Sequence, residues 1–184
     1  AVSRKDKFVV AHFWNPPHLV PLVEVVPGKF TAQKTVDVTW ELMEKIGKKP
    51  VALKREALGF IGNRLQLAML REALYIVQEG IATPEAVDAT VRYSLGRRYG
   101  VTGPLESADL GGLDIFQNIS AYLYKDLCND SSSSPLLAET VARGDLGAKT
   151  GKGFYDWTNP EVLGKLKKER EAVLIEWLQK DKKQ

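Results

Sequence analysis

The chain has 184 residues, of which 44% are hydrophobic and 27% are charged, and its formal net charge is +3 at pH 7. This length and composition are typical of a globular protein with one domain, or with one domain and a remnant of another. The small net charge gives no reason to expect a nucleic-acid partner, and no apolar run approaches the roughly 18 residues of a membrane-spanning helix.

The cysteine content points to a reducing compartment. Cys128 is the single cysteine, which excludes an internal disulfide, and we therefore expect a cytoplasmic location. Residues 1–7 carry charges, but no long apolar segment follows them, so they are not expected to be a signal peptide. No pair of cysteine or histidine residues has the spacing of metal ligands, and no metal is expected.

The first third of the chain predicts a small sheet with one helix. Short runs rich in β-branched residues predict strands at about 8–12, 22–26 and 50–53. Apolar residues near helical spacing predict a helix at about 32–46, with Thr31 as its N-cap. Three strands are too few to close a nucleotide-binding sheet. Because the edge of such a sheet is open, we expect this β-β-α-β segment to pair with another chain, to exchange strands with one, or to be poorly ordered.

From about residue 56 the pattern becomes helical. A long helix is predicted at 60–79, and because it is apolar on more than one side it is expected to be buried. Loops are predicted at 96–100, 129–134 and 144–157, where glycine or short polar residues accumulate. The further helices are predicted at about 84–94 with Thr83 as N-cap, 104–127 with a break at 111–112, 135–143 and 160–180.

A histidine and a glutamate lie on the first two predicted strands. His12 ends one strand, Glu24 lies inside the next, and the Asn-Pro-Pro of residues 15–17 must turn between them because proline lacks an N–H and fixes φ. If the strands pair, the imidazole and the carboxylate can meet. A carboxylate fixes the tautomer of an imidazole and stabilises its charged form, as a general base requires. A histidine at a strand end is also commonly structural, so both interpretations remain open at this point.

Four segments of the chain, which together cover about residues 8–157, match one known signature. The segments are His12-x-x-Asn15-Pro16 with Glu24, then 59–64 (Gly-Phe-Ile-Gly-Asn-Arg), then 103–106 (Gly-Pro-Leu-Glu) with 110–114 (Leu-Gly-Gly-Leu-Asp), and finally 149–155 (Lys-Thr-Gly-Lys-Gly-Phe-Tyr). In this order they resemble the signature of the L-3-hydroxyacyl-CoA dehydrogenase family. Any one of them alone is weak, whereas four in order are strong.

The resemblance implies a mainly α fold. Residues 56–184 would form the all-helical substrate and dimerisation domain, preceded at 1–55 by a β-β-α-β remnant of an NAD-binding Rossmann domain. The nucleotide-binding half of the family carries a Gly-x-Gly-x-x-Gly motif, which this sequence lacks. The chain is therefore similar to the C-terminal part of such an enzyme. The resemblance also implies a homodimer through the helices between about 60 and 127.

The family's reaction is the reversible oxidation of an L-3-hydroxyacyl-CoA to the 3-ketoacyl-CoA with NAD, in fatty acid or butyrate metabolism. The resemblance implies that His12 is the general base and that Glu24 holds and polarises its imidazole. It also implies that Asn63 contacts the substrate and that Asn15 and Lys149 contact NAD. Without the resemblance, Asn15 would be interpreted as a turn residue, Asn63 as a helix cap and Lys149 as a surface lysine.

Two alternatives remain open from the sequence. The proline-rich 15–22 and the Leu-Gly-Arg-Arg-Tyr of 95–99 are similar to relatives that act on small polar hydroxy acids, such as gulonate or carnitine dehydrogenases. In that case Arg97 or Arg98 could bind a carboxylate. The other alternative is a non-catalytic helical dimerisation module. The later motif segments favour the acyl-CoA reaction, with little or no activity expected from this chain alone because it lacks most of the cofactor site.

Overall fold

The structure is a computed structural model that describes residues 2–181. They divide into two compact units, one made of the residues up to Gln66 together with those from Asn159 onward, and the other of Leu67–Thr158. Residues 1 and 182–184, which the two predicted domains include, lie outside the described residues. The domain boundary predicted near residue 56 stays a prediction. The two compact units are defined by packing, whereas a domain is defined by its ability to fold alone.

The first unit is built on a three-stranded sheet with the order β1-β2-β3. β1 (Val9–Phe13) pairs antiparallel with β2 (Leu22–Pro27), and β2 pairs parallel with β3 (Lys49–Ala52). Helix α1 (Gln33–Lys45) supplies the crossover that two parallel neighbouring strands require. The predicted strands and helix are confirmed, each to within one residue at either end.

The central strand β2 forms the core of this unit. The side chains of Val23 and Val25 are fully buried, and Val26 is 2% exposed. A strand covered on both faces is typically a continuous apolar run. Glu24 interrupts this run and is buried with its neighbours. A buried carboxylate needs hydrogen-bond partners to be stable, so the surroundings of Glu24 form a candidate site.

Thr31 does not cap α1, so this prediction was wrong. The N-cap is Ala32, which makes no side-chain cap. The hydroxyl of Thr31 instead accepts a hydrogen bond from the N–H of Gly28 at 2.8 Å and donates to the carbonyl of Phe8 at 2.6 Å. Thr31 thus joins the turn after β2 to the residue before β1. Its hydroxyl bonds to the carbonyl of Phe8, which is distant in the sequence, instead of to an N–H of the first turn of α1.

Helix α2 (Gly62–Gln78) begins in the first unit and continues into the second. The prediction that Thr83 caps the next helix is confirmed, because its hydroxyl accepts a hydrogen bond from the N–H of Ala86. The remaining helices of the second unit are α3 (Pro84–Tyr93), α4 (Leu95–Tyr99), α5 (Pro104–Gly111), α6 (Leu113–Leu123) and α7 (Pro135–Ala142).

The structure differs from the sequence prediction in three places within these helices. The predicted loop at 96–100 is the short helix α4, since glycine disfavours a helical turn without forbidding it. Helix α6 ends at Leu123 rather than at 127. In α2 only Leu74 is buried, so the helix is not the buried element that its apolar composition predicted.

The last helix, α8 (Pro160–Asp181), belongs to the first unit and confirms the helix predicted at 160–180. The side-chain oxygen of Asn159 accepts a hydrogen bond from the N–H of Glu161 at 2.9 Å and so caps this helix.

Across the described residues, no helix has both the length and the hydropathy of a membrane span. The described chain is mainly helical with a small sheet, as predicted, and the origin of that sheet in a Rossmann domain stays a prediction.

Candidate active site

His12 and Glu24 lie directly opposite each other on the antiparallel strands β1 and β2. Side chains at directly opposed positions project from the same face of a sheet. His12 Nδ1 lies 2.9 Å from Glu24 Oε2. The imidazole–carboxylate contact expected from the sequence is therefore present, while its catalytic role stays a prediction.

Four hydrogen bonds hold the carboxylate of Glu24. Oε2 accepts from the imidazole of His12 and, at 3.2 Å, from the indole N–H of Trp14. Oε1 accepts from the backbone N–H groups of Ile61 at 2.8 Å and Gly62 at 3.0 Å. The side chain is only 1% exposed, so these donors take the place of water around the charge.

The same contacts set the pKa of Glu24. Burial alone would raise this pKa, because the charged form loses its hydration. The hydrogen bonds from the N–H of Gly62, from His12, from the N–H of Ile61 and from Trp14 outweigh that effect, and together they hold the pKa of Glu24 below its ordinary value. Glu24 is therefore a permanent negative charge at neutral pH and can stabilise a positive charge on the imidazole.

The imidazole of His12 has one ring nitrogen engaged and one left for chemistry. Because Glu24 accepts a hydrogen bond at Nδ1, that nitrogen carries the proton and the lone pair lies on Nε2. The His12 side chain is 33% exposed, in contrast to its partner. The rings of Phe60 and Trp14 lie edge-on to it, with centroids at 5.4 and 6.1 Å. These contacts limit rotation of the ring and leave Nε2 as the atom that can take a proton.

The turn that leads into α2 and the first residue of that helix supply the two backbone donors. Phe60 has φ of 49°, and among the described residues it is the one non-glycine residue with a positive φ. A bulky side chain rarely adopts this conformation, and such residues are concentrated at functional sites. The turn at Phe60 directs the next two N–H groups, of Ile61 and Gly62, toward the same carboxylate oxygen.

Sequence reasoning missed four of these contributors: Trp14, Phe60, Ile61 and Gly62. Trp14 follows His12 by two residues, and the period of a strand could have placed it on the same face. Gly62 lies so close to Trp14 that a Cβ added to it would be 2.1 Å from the indole Cζ2. The match of 59–64 to the family motif marked the right segment but not the role of its backbone amides.

The other predicted site residues are distributed over both units. Asn15 precedes Pro16 in a cis peptide bond, is exposed, and makes no side-chain hydrogen bond within the described residues. Asn63 is the second residue of α2, half-buried and next to Gly62, so it lies inside the helix rather than at its cap. Lys149 is exposed on the segment between α7 and α8 of the second unit. Their binding roles stay predictions.

The Lys-Thr-Gly motif of 149–155 has a defined conformation within the second unit. Isolated bridges join Gly147 to Lys152 and Lys152 to Asp156, which makes the segment a compact turn. The hydroxyl of Tyr155 donates to the carboxylate of Asp88 at 2.8 Å, and burial together with this hydrogen bond raises the pKa of Tyr155 to about 12. The tyrosine of the motif therefore anchors the turn to α3.

Two family models match the chain. The model described as "3-hydroxyacyl-CoA dehydrogenase, NAD binding domain" matches residues 1–57, and the one described as "3-hydroxyacyl-CoA dehydrogenase, C-terminal domain" matches residues 59–157. Helix α8 lies outside both matches.

Curated relatives extend this comparison. The chain is 36% identical over 174 residues to the 5-formyl-3-hydroxy-2-methylpyridine 4-carboxylate 5-dehydrogenase of Mesorhizobium japonicum, covering 95% of this chain and 56% of the relative. It is 38% identical over 158 residues to the 3-hydroxybutyryl-CoA dehydrogenase of Clostridioides difficile, covering 85% and 55%. The chain thus spans about half the length of the curated relatives that it matches.

Solved structures give the same two groups. The crystal structure of a 5-formyl-3-hydroxy-2-methylpyridine 4-carboxylic acid 5-dehydrogenase, an NAD⁺-dependent dismutase, superposes with a TM-score of 0.93 at 34% identity, covering 98% of this chain and 58% of that one. The (S)-3-hydroxybutyryl-CoA dehydrogenase of Ralstonia eutropha gives a TM-score of 0.63 at 35% identity, covering 85% and 54%.

Proposed function

The chain belongs to the 3-hydroxyacyl-CoA dehydrogenase family, and on that premise we propose that it is the catalytic-base part of an enzyme that interconverts L-3-hydroxyacyl-CoA and 3-ketoacyl-CoA. The cofactor is NAD. The observation that carries the proposal is the pair of His12 and Glu24, with the buried carboxylate fully hydrogen-bonded and the imidazole accessible. Fatty acid or butyrate metabolism is the setting that this substrate class suggests.

The pair can perform the proton-transfer half of such a reaction. In the oxidative direction, Nε2 of His12 takes the proton of the substrate hydroxyl, and Glu24 stabilises the resulting imidazolium through Nδ1. When bound, NAD would supply a hydride acceptor for the hydrogen on the same carbon. In the reductive direction the imidazolium returns the proton to the oxygen. Glu24 keeps its charge throughout, since its pKa is already low.

Asn15 and Lys149 are the residues that we propose to contact this cofactor. Asn15 offers an exposed carboxamide three residues after His12, with no side-chain partner in the described part of the chain. Such a group can hydrogen-bond the nicotinamide amide. Lys149, also exposed, would contact the cofactor as well, and Asn63 would contact the substrate. The sequence has no Gly-x-Gly-x-x-Gly for the diphosphate, so we expect negligible NAD turnover from the 184 residues alone.

The decisive experiment replaces the base in a polypeptide that joins an NAD-binding domain of the family to this chain. His12→Gln should lower kcat with acetoacetyl-CoA and NADH by about 10²–10⁴-fold, because His12 would act as the general acid in this reductive direction and general acid–base catalysis contributes that much. The KM should change little, since the interaction is made in the transition state. His18→Gln is the matched control, because the chain has two histidines and His18 is exposed on the turn after β1. Wild-type kcat in His12→Gln would refute the proposal.

A second candidate is a dehydrogenase of a small polar acid. The solved pyridine-carboxylate dehydrogenase covers 98% of this chain, so its likeness includes α8, whereas the hydroxybutyryl-CoA dehydrogenase structure covers 85%. Arg97 and Arg98, considered above as carboxylate ligands, are exposed on α4, and the guanidinium of Arg97 lies 5.4 Å from the ring centroid of Tyr93. A substrate panel on the complete enzyme, comparing kcat/KM for acetoacetyl-CoA with that for free hydroxy acids, separates the two candidates.

We further propose that the chain forms a homodimer through the helices between about 60 and 127. Helices α5 and α6 carry large apolar side chains that are exposed to solvent. Among them are Leu105, Leu110 and Leu113, which are 81%, 80% and 61% exposed. Large apolar side chains that are exposed and form a patch are typical of a protein interface. A second copy of the chain would cover this surface on both partners at once, as a two-fold dimer does.

A further inference from the structure

A basic cavity adjoins the catalytic pair inside the first unit. Its volume is about 490 Å³, and it lies between the end of β3 and the first turn of α2. Lys54, Arg55 and Arg64 contribute its charged side chains, and the rest of its lining is apolar. None of the described residues that line the cavity is acidic. A cavity with one sign of charge and apolar walls concentrates ions of the opposite sign.

The three cations are available for a ligand. None of them forms an ion pair within the part of the chain that the structure describes. Arg64 makes one long hydrogen bond, from Nη1 to the carbonyl of Leu58 at 3.4 Å, which leaves most of its donors free. Glu56 lies next to Arg55 in the sequence but does not line the cavity. Two guanidinium groups and an ammonium can together bind a phosphate or a carboxylate.

The same turn touches both the cavity and the catalytic pair. Phe60 and Ile61 line the cavity. The ring of Phe60 also lies edge-on to the imidazole of His12, at 5.4 Å between centroids, and the N–H of Ile61 donates to Glu24. A ligand in the cavity would therefore contact the residues that hold the base in place.

We propose that this basic cavity binds an anionic group of the substrate, a phosphate or a carboxylate, while the hydroxyl of that substrate lies at His12. The inference rests on the proposed function and makes the site specific for substrates that carry a negative charge away from the reacting carbon. The charge can come from two sources. A CoA ester has phosphates at the far end of its pantetheine arm, and a small hydroxy acid has its own carboxylate.

Direct binding tests the cavity without any turnover. Calorimetric titration of the 184-residue chain with CoA, and separately with pyridine-4-carboxylate, should give saturable heats with at least one of the two probes. The double variant Arg55→Gln/Arg64→Gln should weaken that binding by at least about tenfold, as the loss of charge-assisted hydrogen bonds predicts. The binding should also weaken as salt is raised.

Control titrations identify the source of the charge. Arg92→Gln removes the same charge from an exposed position on α3 and should leave binding unchanged. Pantetheine lacks the phosphates of CoA, and pyridine-4-carboxamide lacks the carboxylate, so each should fail to bind wherever its charged counterpart binds. A circular dichroism spectrum identical to wild type should accompany the double variant, since all three cationic side chains are exposed.

Three results would overturn the inference: no binding of either charged probe, binding that the double variant leaves intact, or NAD binding that is tighter than both and equally sensitive to the variant. The last would assign the cavity to the diphosphate of the cofactor. These outcomes can be distinguished from failure of the proposed function, which His12→Gln tests by turnover. Loss of CoA binding in the double variant together with wild-type kcat in His12→Gln would uphold anion binding in the cavity and refute the base.

Discussion

At the scale of single residues, the carboxylate of Glu24 both stabilises the fold and supports the proposed chemistry of His12. All four of its hydrogen bonds come from donors of the protein, which take the place of water around the buried charge. An amide in its place carries two hydrogens of its own and must direct them at some of these donors. The group that would support the imidazole during proton transfer therefore also holds β1, β2 and the first turn of α2 together.

We expect Glu24→Gln to destabilise the fold by about 3 kcal/mol, because breaking a buried charged pair leaves polar groups unpaired. Urea unfolding followed by circular dichroism measures this. Glu44→Gln, an exposed position on α1, is the control and should cost less than about 0.5 kcal/mol. Equal unfolding midpoints for the two variants would contradict the role assigned to Glu24.

The lowered pKa of Glu24 also predicts a pH dependence of stability. The unfolded chain takes up a proton near the ordinary value of 4.5, whereas the folded chain takes it up only at a lower pH. The stability contributed by Glu24 is thus fully present above 4.5 and is lost as the pH falls through the lower, folded pKa. The difference in the free energy of unfolding between wild type and Glu24→Gln should shrink over that window. A difference that is constant from neutral pH to well below 4.5 would count against the shift.

At the scale of elements, the approach of α2 to β1 depends on one missing side chain. Gly62 opens α2 with its backbone against the indole of Trp14, and its N–H reaches Glu24. A methyl group there would push the indole away from the carboxylate that it hydrogen-bonds. The helix start, the indole and the carboxylate therefore form one packed cluster.

Gly62→Ala should destabilise the protein by about 1–3 kcal/mol through this overpacking, and in the complete enzyme it should also lower kcat. Gly164→Ala, in α8, makes the same substitution where nothing lies within 4 Å of the added Cβ. It should stabilise the protein by up to about 1 kcal/mol, because alanine favours a helix. Thermal unfolding of both variants tests the pair, and a stabilised Gly62→Ala would show that the cluster tolerates a side chain.

The sequence predicted the strands and helices that a pattern of side chains marks. It did not predict the contacts that backbone N–H groups make. The runs around His12 and Glu24 located both strands, and their opposition followed from pairing. The N–H groups of Ile61 and Gly62 have no residue signature, so their use as donors could not be foreseen. The exposure of α2 was missed for another reason. Its apolar residues indicate that the helix can pack against another surface, but they do not identify that surface.

At the scale of the whole molecule, the proposed dimer can be measured without a substrate. Light scattering at micromolar concentration should give about twice the chain mass of 20.5 kDa. Leu110→Lys, on α5, should shift the protein toward a monomer because it places a charge in the proposed interface. Val38→Lys, on the exposed side of α1, should leave the mass unchanged. A monomeric wild type would exclude the dimer.

The indole of Trp14 shares an acceptor oxygen with the imidazole of His12. Its emission therefore reports on the charge of that ring, because a nearby imidazolium quenches indole fluorescence. Replacing Trp40, Trp157 and Trp177 by phenylalanine would leave one optical probe at the candidate active site. The protonation of the base could then be followed by spectroscopy on a protein that is not turning over.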